Sequence, residues 1–96
     1  MTSNNSLAVG LCASRHPMPV SGYIFPETLD PMAFDAMEKT ASAFVEGMTG
    51  KSLVVYVTGL TAATAAVIKV CALRGVGLTL MHYNRDTGEY VPQKIF

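Results

Sequence analysis

The chain has 96 residues, enough for one domain over 1–96 built on one core. Half of its residues are apolar, 15% are charged, and seven basic residues balance seven acidic ones. That composition excludes a disordered chain, and zero net charge argues against a protein that coats nucleic acid by neutralising its phosphates. No stretch approaches the roughly 20 apolar residues that span a bilayer. The polar opening Met-Thr-Ser-Asn-Asn-Ser also lacks the basic start and apolar run of a signal peptide, so a cytoplasmic protein is expected.

Residues 1–6 read as a frayed start. Leu7 to Ala13 is a short apolar run and predicts a strand buried on both faces. Ser14-Arg15-His16-Pro17 ends it, with Pro17 holding His16 extended. A loop containing Pro17, Pro19, Gly22 and Pro26 then runs to Asp30. Val20, Tyr23, Ile24 and Phe25 make it too apolar to face only solvent, and a loop this long in a small domain is functional or packed over something. Asp30-Pro31 predicts a helix start, Asp as N-cap and Pro at the first helical position. Phe34, Met37, Ala41, Phe44, Val45 and Met48 form its apolar stripe. Asp35, Glu38, Lys39, Ser42 and Glu46 fall opposite, and Gly47 or Gly50 ends the helix.

Leu53-Val54-Val55-Tyr56-Val57 is continuous, β-branched and apolar, the pattern of a central parallel strand. Thr58-Gly59-Leu60-Thr61 leads into an alanine-rich helix, Ala62 to Arg74, whose only charges are Lys69 and Arg74. With almost no polar face it is expected to be buried on both sides, which a domain this small cannot do alone. A homodimer or higher homo-oligomer through this helix is therefore expected. Gly75 and Gly77 stop it, Leu78 to Met81 begins a third strand, and Asn84-Arg85-Asp86-Thr87-Gly88 is turn chemistry. Tyr90 to Phe96 returns as an antiparallel edge strand, where Pro92 is tolerable. The expected fold is a minimal Rossmann-like α/β sheet in two or three layers, order β-α-β-α-β-β, with a C-terminal hairpin.

Open α/β sheets bind ligands beyond the carboxyl ends of their parallel strands. Those ends are Ser14-Arg15-His16, Thr58-Gly59-Leu60-Thr61 and His82-Tyr83-Asn84-Arg85, and they hold both histidines. In the second segment Gly59 allows a sharp turn, Thr61 can cap the helix, and the first-turn amides favour an anion such as a phosphate. An ordinary helix cap explains the segment equally well. Neither a Walker loop nor G-x-G-x-x-G is present, so no dinucleotide coenzyme is indicated. Arg15 and His16 are suited to a phosphate and to a base or ribose hydroxyl. His82 points into the site or to solvent, depending on strand alternation. Arg85 reads as turn surface unless a second copy brings ligand to it. Tyr83 and Tyr90 either stack on a base or pack across strands. Cys12 and Cys71 read as free buried thiols, no residue set suits a metal, and no acid is placed to complete a triad with Ser14 and His16.

The Ser14-Arg15-His16-Pro17 motif after a strand, the stretch Thr58-Gly59-Leu60-Thr61-Ala62-Ala63 with its alanine-rich continuation, and the final Leu78-Thr79-Leu80-Met81-His82 strand together resemble the small stand-alone CRISPR-associated ring nucleases, relatives of the CARF fold. About half of the chain is covered. Met18-Pro19 stands where the family has Gly-Ala, and Thr61 where it has Pro. The resemblance implies a cyclic oligoadenylate or another nucleotide-derived immune signal held across a dimer. It also implies metal-independent chemistry, with a ribose 2′-hydroxyl set in line with the adjacent phosphate and Arg15 and His16 as the catalytic candidates. Three functions are in view. The first is a sponge that binds such a signal, of cyclic oligonucleotide or ADP-ribose type, as an anti-defence factor. The second is a ring nuclease that cleaves it. The third is an interaction module with no small ligand, docking a partner protein through the apolar second helix.

Overall fold

The computed structural model describes residues 6–12, 19–26 and 29–96. Six elements follow one another: β1 (Ser6–Gly10), α1 (Phe34–Phe44), β2 (Ser52–Tyr56), α2 (Thr61–Arg74), β3 (Gly77–Asn84) and β4 (Glu89–Lys94). The strands form one sheet in the order β1-β2-β3-β4, with β1, β2 and β3 parallel and β4 antiparallel to β3. This is the expected minimal Rossmann-like α/β fold with its terminal hairpin.

Two crossovers of the same hand between strands laid side by side place both helices on one face of the sheet. There α1 and α2 pack against each other. The core lies between the layers: Leu53, Val55, Leu78 and Leu80 from the sheet meet Met37, Ala41 and Val45 of the first helical segment and Ala63, Ala66, Val67, Val70 and Cys71 of α2. Each residue is buried because strand alternation turns it toward the helices. Ala8, Val54, Tyr56, Thr79 and Met81 alternate to the other face and stay outside the core cluster. No described element is packed over them.

Several local expectations change. The first strand stops at Gly10, and Leu7 is exposed, so it is not buried on both faces. Part of its outer edge is covered by the following loop: Gly10 N–H donates to the Gly22 carbonyl at 2.9 Å, and Ile24 N–H to the Gly10 carbonyl at 3.0 Å. Ile24 and Phe25 are buried there, which explains the loop's apolar content.

Asp30 does not cap α1. Its Oδ1 accepts the Met32 amide at 2.9 Å, closing a local turn three residues before the helix begins. The cap position is Ala33, and Phe34, expected in the buried stripe, is 53% exposed. The helix ends at a Val45 cap, ahead of both candidate glycines.

Buried residues of α2 occupy one side only. Ala65, Ala72 and Leu73 face outward, so within one chain the helix is not covered on both sides. It does end at Gly75, left-handed at φ 68°, with the Val76 amide reaching back to the Cys71 carbonyl at 2.9 Å. That is a closure which glycine adopts without strain.

Pro92 sits on the free edge. The Ile95 amide donates to Leu78 at 2.9 Å. In an antiparallel ladder this makes Leu80↔Gln93 and His82↔Val91 the hydrogen-bonded pairs and leaves the Met81↔Pro92 pair unbonded. The proline nitrogen therefore faces outward, and no ladder bond is lost.

Candidate functional site

The chain leaves β2 at Tyr56, and the Val57 amide donates to the Met81 carbonyl at 3.1 Å, extending the strand end beside β3. Thr58 is held against the end of the first strand, its Oγ1 3.6 Å from Cys12 Sγ. Helix α2 then begins with Leu60 at the cap position, and among the described residues no side chain caps its first-turn amides. Thr61, expected as the cap, lies inside the first turn. Its hydroxyl-bearing neighbour Thr64 bonds the Leu60 carbonyl instead, at 3.2 Å. The helix start carries no acidic residue, so its amides present an uncompensated positive end.

A shallow cleft of about 300 Å³ opens at this point, lined by Thr58, Gly59, Thr61, Thr64, Ile68 and His82 among others. Two of the three expected strand ends thus meet on one concave surface. Alternation turns His82 to the helix side of the sheet, in line with Leu78 and Leu80. Its Nε2 lies 2.7 Å from Gln93 Oε1, which fixes the ring from the neighbouring strand. The chain bends at Gly59, as expected, but its φ is not positive and a Cβ there would meet nothing within 4 Å, so the bend itself does not require glycine. What the glycine does is keep the mouth of the cleft free of a side chain.

Leu60 belongs elsewhere, packed against the core rather than lining the cleft. Asn84 and Arg85 line a second, open cleft of about 530 Å³ with Asp86 and Val91, and His82 borders both clefts. Asn84 Oδ1 accepts the Asp86 amide at 2.9 Å, so its side chain builds the turn. Arg85 is exposed there. Ser14, Arg15 and His16 lie outside the described residues.

Tyr83 and Tyr90 are cross-strand partners, with ring centroids 5.3 Å apart in an edge-to-face arrangement. Tyr56 joins them, 4.7 Å from Tyr90 and nearly perpendicular to it. This cluster was not foreseen, because Tyr56 reads as one more apolar residue of a central strand. It stands on the sheet face opposite His82. Burial pushes the Tyr90 hydroxyl above its ordinary pKa, and neighbouring Tyr83, Tyr56 and Tyr23 push it further.

No described helix is long and apolar enough to cross a membrane. No family model matches the chain, and no curated protein or solved structure matches it.

Proposed function

We propose that the protein binds a nucleotide-derived signalling molecule, of cyclic oligonucleotide or ADP-ribose type, and sequesters it as an anti-defence sponge. The observation that carries the reading is the start of α2, which no described side chain caps, opening into the cleft that His82 borders. Amides without side-chain partners suit a phosphate, and the His82 ring suits a ribose hydroxyl or a base edge. The ligand class comes from the sequence resemblance, and the cleft supports the reading. Holding is put ahead of cleavage because it asks only for a pocket, and the described cleft offers threonine hydroxyls and one histidine ring to hold a ligand.

The test is incubation with cyclic oligoadenylates and ADP-ribose derivatives, followed by chromatography of the filtrate and of the heat-released fraction. Intact ligand released on denaturation, with a raised Tm before it, is the expected result. Linear products ending in a 2′,3′-cyclic phosphate would replace the sponge with a ring nuclease. No shift in Tm with any nucleotide would overturn both. Gly59→Val, which closes the cleft mouth without touching the core, should abolish the shift while leaving the unliganded Tm unchanged.

A further inference from the structure

We infer that Gln93 is a positioning residue of the cleft at the start of α2. It takes the Nε2 proton of His82, leaves Nδ1 of that ring as an acceptor, and so makes the cleft read a hydrogen-bond donor on its ligand. The inference rests on the ligand reading above, while the pairing of the two side chains stands apart from it.

The sheet brings the two side chains together. Gln93 is opposite Leu80 across the β3–β4 ladder and His82 is opposite Val91, so His82 and Gln93 are diagonal neighbours. Both alternate to the helix side, where Leu80 is buried and Ile95, two residues beyond Gln93, packs against the core. Diagonal positions on one face lie about 7–8 Å apart, beyond short side chains and within reach of long ones. Glutamine spans that gap, and its Oε1 lies 2.7 Å from His82 Nε2. Gln93 lines neither of the two clefts that His82 borders, so it acts through the ring rather than by touching ligand. His82 itself is exposed, and a ligand can reach it.

Chemistry fixes the direction of the bond. An amide oxygen has lone pairs and no hydrogen, so the shared proton belongs to Nε2. A neutral imidazole carries one ring proton, and its other nitrogen then offers a lone pair. Nδ1 is left as that acceptor, and among the described residues no other side chain bonds the ring. A phosphate oxygen is repelled there, since it too is an acceptor. A ribose hydroxyl or the amine of an adenine supplies the hydrogen that Nδ1 needs.

Two measurements test this, the first without ligand. Long-range proton–nitrogen NMR correlations show which ring nitrogen carries the proton, at a pH where the ring is neutral. The chain has two histidines, and the His82 signals are those lost in His82→Ala. The expected wild-type pattern is the Nε2–H form alone. Gln93→Met keeps the length and removes the acceptor, and should bring back the mixture of tautomers that a free histidine shows. Gln93→Glu returns an acceptor at the same reach and should restore the single form. Both positions are exposed, so far-UV circular dichroism should be unchanged in all three variants.

Calorimetry then compares a cyclic oligoadenylate and ADP-ribose with the same ligands methylated on the ribose hydroxyls or dimethylated on the adenine amine. Methylating the group that is read should weaken binding to the wild type roughly three- to tenfold. The same change should cost nothing in His82→Ala, and less in Gln93→Met than in the wild type. An Nδ1–H ring in the wild type, or a ring pattern untouched by Gln93→Met, would overturn the positioning role. Methylated ligands that bind the wild type as tightly as their parents would overturn the donor reading. If no nucleotide binds, the ligand reading falls and takes the donor with it, whereas the ring signals still decide the pairing.

Discussion

Unfolding the wild type and Cys71→Ala with urea in a series of alkaline buffers isolates the contribution of one thiol. Cys71 is 0% exposed between α2 and the sheet, and burial pushes its pKa from 9.0 to about 11. The native state therefore keeps a proton that the unfolded chain gives up. Stability from this group is complete below about pH 9, falls as pH rises, and is lost above the folded value. A shift of about two units corresponds to roughly 2.7 kcal/mol in all, of which about 1.4 kcal/mol is gone near pH 10. Removing the thiol lowers stability by an amount that does not depend on pH, and other alkaline titrations, Tyr90 included, are common to both proteins. The difference between the two unfolding free energies should thus shrink by roughly 2 kcal/mol between about pH 8 and about pH 11. Parallel curves across that range would show that the thiol ionises as freely in the folded protein as in the unfolded one, and the account of its burial would be wrong.

Three further outcomes follow from the packing. Leu53→Ala empties a fully buried position in the central strand and should lower stability by about 2–5 kcal/mol, seen as a fall in urea midpoint at constant slope. Gly75→Ala places a Cβ in ordinary contact with Thr49 Cγ2 at 3.6 Å, so only the left-handed backbone is strained. The loss should be about 1–2 kcal/mol, or roughly 5–10 °C in Tm, and Gly75→Asn should recover part of it. Lys69→Ala breaks an ion pair whose side chains are 57% and 38% exposed, so its effect on thermal unfolding should stay under about 1 kcal/mol and vanish in high salt.

The sheet was legible because its strands are written in uninterrupted apolar runs. Leu53–Val57 was displaced from β2 by one residue, and Gly75 ended α2 as expected. The number of layers was not legible, for a physical reason. Val54 and Tyr56 point away from the helices, yet they are as apolar as Leu53 and Val55 beneath them, so alternation leaves no mark. The α1 start was misplaced because Asp30 can satisfy an amide in a turn as readily as in a helix cap, and Asp30-Pro31 looks the same in both. At the site, the strand-end rule brought Thr58, Gly59, Thr61 and His82 together. It did not separate off Asn84 and Arg85, because three residues of further strand carry them into the next cleft. Nor did it see that Leu60, inside the motif, turns back to the core.

Pro92 has a consequence for how this molecule behaves when crowded. A strand edge with regular donors is a growth front: each added copy offers the same front to the next, and the product is a fibre. Here the front is missing a donor midway along β4, at one of the ladder positions whose amide points away from β3, so the loss does not weaken the fold itself. The proline thus lets a small domain end its sheet on an edge strand at high concentration without offering a regular template for a fibre.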